Sequence, residues 1–386
     1  MHSQSMKLQS ATPRCDGGSG SPVNFWKWFA DRDQPPRRSF GYAAPAETDR
    51  PGEINQTIVL DRPFGALLKF SRSGAEDNRP ERRILLVAPL SGHFAFLLRD
   101  MVAGLAPHAS VYVTDWVNAR CAPVKAGDFG FSDNVAYVVE ALRKVGPGAH
   151  VIAVCQGAIP ALAATAILSD EEPELAPVSL TLIAAPVDPL ANPTRVVQLL
   201  RAHPLKWYRD RVLRPAPEGC PGAGRLVYPA STQLQGLAAY FARHMSFHLE
   251  LFEKTMNDDG ADCARFPFLD LYASVMDLPA AYFLENTELV FHERAAWTGR
   301  LLCNGEPIEF GAIRRTALMT IEGERDDIAA PGQTAAAHCL CPRIPEEARR
   351  QLVVPMSGHF NLFHGRRWRS EIMPQIIAFM DASNAR

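Results

Sequence analysis

Residues 150–168, HVIAVCQGAIPALAATAIL, constrain this chain more than any other stretch. His150 to Val154 have the apolar, β-branched character of a strand, and they run directly into Cys155-Gln156-Gly157 and then an Ala/Leu/Ile pattern that reads as a helix. A strand that turns into a helix without a loop brings two backbones close together, so the bend needs small residues. Ala153 and Gly157, two positions either side of Cys155, meet that need. Pro160 falls in the first helical turn, where its missing N–H has no intrahelical partner to lose. Such a turn holds a reactive side chain at its apex, while the next backbone N–H and the helix N-terminus face a developing oxyanion. The same stretch is equally compatible with a buried, inert cysteine, because free cysteine is among the most buried residue types.

Composition narrows the setting. The 386 residues suit one domain carrying an insertion, and 47% hydrophobic with 21% charged residues supplies a sizeable core. A formal charge of −2 gives no basic stripe for a phosphate backbone, so nucleic acid is not an expected partner. No apolar run reaches the length of a membrane span, and the N-terminal residues lack the apolar core of a signal peptide. Eight scattered cysteines without such a signal read as reduced thiols, which points to a cytoplasmic protein. Met6 is a second candidate start.

Residues 1–52, rich in Pro, Gly, Ser and Arg, read as a partly flexible arm with an aromatic anchor at Phe25 to Phe29. Ile54 to Leu60 and Ala66 to Phe70 are expected to form a hairpin across Asp61 to Gly65. Arg83 to Ala88, Val111 to Asp115, the Cys155 strand and Ser179 to Ala185 alternate with helical patterns, one from Phe94 to Leu105 and one opening at Ser132 or Asp133. This rhythm predicts βαβ units and an α/β fold with a mostly parallel sheet flanked by helices, of the α/β-hydrolase type. From 190 to 312 the chain becomes helical and aromatic, which predicts a cap inserted into a core of residues 53–189 and 313–386. Thr316 to Glu322, Gln351 to Pro355 and a helix from Arg369 to Met380 complete that core.

A thiol with a pKa near 8.5 is only a few per cent ionised at neutral pH, so a nucleophilic cysteine needs a base, and the base needs an acid to fix its tautomer. In α/β-hydrolases these follow in the order nucleophile, acid, histidine, each after a strand. Asp326 lies in the loop after Thr316 to Glu322, three residues beyond Gly323, and is preferred to Asp327. Asp188, after an earlier strand, is the rival acid. His359 follows the last strand as the candidate base. The backbone N–H groups of Gln156 and Leu90 are the candidate oxyanion donors. His93, in a second Ser-Gly-His-Phe string, reads as site-lining or structural.

Metal readings are weak. His244 and His248 have helical ligand spacing but lack a third ligand at a metalloprotease distance, and His338-Cys339-Leu340-Cys341 has no second ligand pair. Asn257 to Asp262 lacks the bidentate glutamate of a calcium loop. No metal or cofactor is expected.

The strings YASVMDLPAAYFLENTELVF (272–291), ALMTIEGERDDIAAPGQTAAAHCLC (317–341) and SGHFNLFHGRRW (357–368) carry a resemblance to intracellular polyhydroxyalkanoate (polyhydroxybutyrate) depolymerases, extending from about Pro63 onward. The family's catalytic cysteine, aspartate and histidine fall on Cys155, Asp326 and His359. Gly157 stands where the family more often has proline, and Phe360 where it often has tyrosine. The resemblance implies hydrolysis of storage polyester, on the surface of cytoplasmic granules, with water or coenzyme A as acyl acceptor. A polyester synthase uses the same three residues, and a non-catalytic granule-coat protein is a further alternative.

Overall fold

In the computed structural model, which describes Phe40 and residues 53–72, 82–244 and 273–385, the apolar runs become one eight-stranded sheet. Its strands are β1 (Ile54–Arg62), β2 (Gly65–Arg72), β3 (Arg83–Val87), β4 (Ser110–Trp116), β5 (Ala149–Val154), β6 (Ser179–Ile183), β7 (Ala317–Gly323) and β8 (Arg349–Val354). They lie in the order β1-β2-β4-β3-β5-β6-β7-β8. From β4 to β8 every neighbouring pair is parallel, and β2 alone opposes both of its neighbours. This is the α/β-hydrolase arrangement. β4, β5 and β6 are buried at every position, which is why they read as continuous apolar runs rather than alternating ones.

The helices are α1 (Arg99–Leu105), α2 (Phe131–Val145), α3 (Ala158–Glu171), α4 (Arg195–Arg201), α5 (Leu205–Arg211), α6 (Ala230–His244), α7 (Ala280–Asn286) and α8 (Met373–Asn384). α2 buries Val135, Val138, Val139 and Leu142 on its core face, whereas α3 is apolar on all sides and buried along most of its length. α4 to α7 all belong to the chain between β6 and β7.

Several boundaries differ from the sequence expectation. The hairpin strands extend to Arg62 and from Gly65, so a two-residue turn replaces the expected loop. The Phe94 to Leu105 helix is a 3-10 turn, Ala95–Leu98, followed by α1. α2 opens at Phe131, because the Asp133 carboxylate accepts from Gly130 N at 2.7 Å and Glu285 of α7 accepts from Phe131 N at 2.6 Å. The last helix begins as a π turn at Trp368, and α8 starts only at Met373. Phe40, assigned to the arm, is 3% exposed and packs against Phe70 and Phe96. The aromatic anchor at Phe25 to Phe29, His248 and the Asn257 to Asp262 loop lie outside the described residues. Among the described residues, no helix is long and apolar enough to cross a membrane.

Candidate active site

The candidate residues lie where the parallel strands end. Cys155 follows β5, the Leu90 loop follows β3, Asp326 follows β7 and His359 follows β8, so one edge of the sheet carries all of them. The elbow is built as the sequence requires. Cys155 has φ 51°, in the left-handed region that a side chain enters only under strain, and α3 begins three residues later. A Cβ on Gly157 would stand 2.9 Å from the Val87 carbonyl oxygen and 3.2 Å from that of Ala88, so only glycine lets elbow and β3 approach this closely. Ala88 is itself pinned to β4. Its N–H donates to Thr114 Oγ1 at 2.9 Å, and its carbonyl accepts from Trp116 Nε1 at 3.0 Å. This fixes the start of the loop that carries Leu90.

The loop after β7 is organised by a carboxylate that the sequence did not single out. Glu322 is fully buried, and its Oε1 accepts from the N–H groups of Gly332, Thr334 and Ala335 at 2.8, 2.8 and 3.0 Å. Within that frame Asp326 Oδ1 accepts from Ile328 N and Ala329 N, both at 2.8 Å, which leaves Oδ2 for His359 Nδ1 at 2.8 Å. A Cβ on Gly323 would stand 2.5 Å from Ser357 O, so glycine is also needed where the two loops cross. Asp326 takes one nitrogen of the His359 ring, and Cys155 lies near enough to the ring to act on its electrostatics. Phe360 and Phe363 flank the imidazole edge-on at 5.2 and 5.6 Å.

Burial alone pushes the His359 pKa down. The Asp326 carboxylate, its hydrogen bond and Cys155 outweigh that, so it is raised from 6.5 to about 10. The ring is therefore poised to accept a proton and to keep it. Cys155 is partly exposed, unlike Cys341, whose thiol burial pushes up to about 12. The arrangement can deprotonate a nucleophile on one side of the imidazole and stabilise the imidazolium from the other.

The alternatives are placed elsewhere. Asp188 is held by Arg294, with Oδ1 2.7 Å from Nε and Oδ2 2.6 Å from Nη2, and so ties β6 to the inserted segment. Of the two adjacent aspartates, Asp326 is the one that contacts His359. His93 forms a backbone bridge with Val275. His338 bonds Thr320 Oγ1 at 3.0 Å at the end of a short helical turn, Ala337–Leu340. No cluster of metal-ligating side chains occurs among the described residues.

A cavity of about 160 Å³ opens beside the elbow, lined by Leu90, Gln156, Tyr282, Phe283, Asn286 and Phe291 among others. Leu90 and Gln156, whose N–H groups are the candidate oxyanion donors, thus both line one space. Asn286 Nδ2 donates to Gln156 Oε1 at 3.1 Å, a link from α7 to the residue after the nucleophile candidate. Tyr282, Asn286 and Glu322 were missed in the sequence. The only available signal was their place in the YFLEN and TIEGE strings.

A family model described as PHB de-polymerase C-terminus matches residues 184–384, just over half of the chain. The chain belongs to the PHB depolymerase family. Membership makes it a carboxylic ester hydrolase, and the matched residues include Asp326, His359, Tyr282 and Asn286. No curated protein matches the chain. Similar solved structures include a thermophilic esterase from Thermogutta terrifontis (15% identity, 86% of this chain and 99% of that one, TM-score 0.40). A monoacylglycerol lipase from Paleococcus ferrophilus is similar at 13% identity over 83% and 99% of the two chains, with TM-score 0.47. A 2-hydroxy-6-oxo-6-phenylhexa-2,4-dienoate hydrolase from Rhodococcus sp. strain RHA1 is similar at 15% identity over 86% and 99%, with TM-score 0.44.

Proposed function

We propose that this PHB depolymerase family member hydrolyses the ester bonds of poly-3-hydroxybutyrate through an acyl-enzyme on Cys155, acting on storage granules in the cytoplasm. The reading is supported by the contact of Asp326 Oδ2 with His359 Nδ1, at 2.8 Å, near a cysteine held on a strained elbow. In this mechanism His359 takes the Cys155 proton, and the sulfur attacks the ester carbonyl. The N–H groups of Gln156 and Leu90 receive the oxyanion, and Asp326 stabilises the imidazolium. His359 then gives the proton to the departing 3-hydroxyacyl alkoxide and later activates water against the thioester. Water is the acceptor in this reading.

The test is to incubate the protein with amorphous poly-3-hydroxybutyrate granules, with and without coenzyme A, beside a Cys155→Ala control. The expected result is Cys155-dependent release of soluble 3-hydroxybutyrate species without coenzyme A. Release only with coenzyme A would make it the acceptor. Absence of release, with polymer formed from 3-hydroxybutyryl-CoA, would replace the proposal with a synthase.

A further inference from the structure

Among the described residues, the inserted segment hydrogen-bonds the elbow through one side-chain pair, Asn286 Nδ2 donating to Gln156 Oε1 at 3.1 Å. Helix propensity alone does not favour asparagine there. Asn286 is the last residue of α7, it is buried, and it lines the cavity with Leu200, Leu278, Phe283 and Phe291. Burying an amide in such a wall is unfavourable unless the group is hydrogen-bonded, and Gln156 supplies that bond from 130 residues away.

Anchoring α7 does not depend on this bond. Glu285 Oε2 accepts from Phe131 N at 2.6 Å, Phe129 O accepts from Tyr282 N at 3.1 Å, and the Tyr282 and Phe131 rings stack 6.5 Å apart. Beyond Asn286 the chain runs into a π turn, Thr287–His292, where Arg201 donates to the Phe291 and His292 carbonyls. Other groups thus hold the helix on both sides of Asn286. What Asn286 reaches, and they do not, is the residue next to Cys155.

The elbow needs such a hold. Cys155 sits at φ 51°, and a left-handed non-glycine residue persists only where its surroundings over-determine it. Before the bend, Val154 is fixed in the sheet opposite Ile183, and after it Gly157 packs against the Val87 and Ala88 carbonyls. Gln156 lies between them, partly exposed, and its side chain is the handle that is left. The direction of its N–H follows from the same backbone angles, so a tether on the side chain limits how far that N–H can swing.

We propose that Asn286 is a positioning residue: by holding the Gln156 side chain it keeps the Gln156 N–H in place for the oxyanion, so that the inserted segment completes the oxyanion hole. This deepens the ester-hydrolase reading and rests on it. A preorganised donor matters most where charge develops in the transition state, so the effect belongs in kcat and not in KM.

The test is a double-mutant cycle on p-nitrophenyl butyrate hydrolysis with Asn286→Ala, Gln156→Ala and the pair, beside a Cys155→Ala control. Gln156→Ala removes the tether and keeps the N–H. Each single variant is expected to lose about three- to tenfold in kcat at nearly constant KM, and the pair to lose no more than the worse single. Losses that multiply, an unchanged kcat, or a rise in KM at constant kcat would each overturn the assignment. A second readout separates positioning from a general loosening of the site. Iodoacetamide alkylates a thiolate by displacing iodide, with no oxyanion formed. Its rate at Cys155, followed by mass spectrometry of the labelled peptide, should therefore stay within about twofold of wild type in each variant. Alkylation that slows in proportion to kcat overturns the assignment. Asn286→Leu, close in size to asparagine, controls for the space that alanine leaves; it should lose as much kcat as Asn286→Ala, and wild-type kcat in it would again overturn the assignment. No hydrolysis, or hydrolysis that survives Cys155→Ala, sinks the Cys155 acyl-enzyme reading and this assignment with it. Cys155-dependent hydrolysis with multiplying losses sinks the assignment alone.

Discussion

Replacing Asp326 by asparagine isolates the contribution of one negative charge. The side chain is fully buried and keeps two backbone donors on Oδ1, so asparagine can hold the loop while removing the charge that faces His359 Nδ1. Raising the imidazole from 6.5 to about 10 corresponds to roughly 5 kcal/mol in favour of the imidazolium. Burial opposes that rise, so Asp326 and Cys155 together supply at least as much, the carboxylate contributing the larger share. If the imidazolium forms in the transition state, losing this support lowers kcat/KM by about 10³- to 10⁴-fold. Hydrolysis of p-nitrophenyl butyrate measures the loss, with circular dichroism to establish that the variant is folded. A fall of less than about tenfold in a folded variant would refute the reasoning. The same ion pair governs stability, with a definite sign. The folded pKa lies above the unfolded one, so the stabilisation is complete below about pH 6.5 and is lost as pH rises through about 10. The stability difference between wild type and Asp326→Asn in urea should therefore be larger at pH 6 than at pH 10. The opposite trend would count against the pair.

The remaining expectations concern what holds the site. Gly323→Ala places a Cβ against the Ser357 carbonyl, so stability should drop by about 1–3 kcal/mol in denaturant titration, with activity falling as the two loops separate. Asp188→Asn removes the partner of Arg294 and should cost stability on the order of 2 kcal/mol, read as a lower urea midpoint, while kcat falls less than tenfold. A loss like that of Asp326→Asn would instead make Asp188 the acid. Asn286→Ala frees the Gln156 amide, and kcat should fall about three- to tenfold with little change in KM, which steady-state kinetics can resolve.

Much of the scaffold could be read from residues alone, because its causes are local. Strands buried on both faces must be continuously apolar, an elbow between strand and helix must be flanked by small residues, and a helix apolar on every side must lie inside. Arg83 to Val87, Ala153 to Gly157 and Ala158 to Leu168 satisfy those conditions without reference to the rest of the chain. Boundaries were less legible where a distant group sets them. α2 starts at Phe131 because Glu285, 154 residues away, takes its N–H.

The sequence by itself determined the α/β class and the order in which cysteine, aspartate and histidine follow their strands, since periodicity and chain order are properties of the chain. Sequence spacing favours Asp326 over Asp327 and Asp188, but only the tertiary structure brings its carboxylate to His359. The first two differ by one step along a loop, whose course is set by the buried Glu322 carboxylate and the two donors on Asp326 Oδ1. The third is withdrawn by an arginine 106 residues downstream. It also decided that Asn286 meets Gln156 across 130 residues and that Tyr282 lines the same cavity. No local pattern encodes such meetings, because they depend on how the segment between β6 and β7 folds back over the end of the sheet.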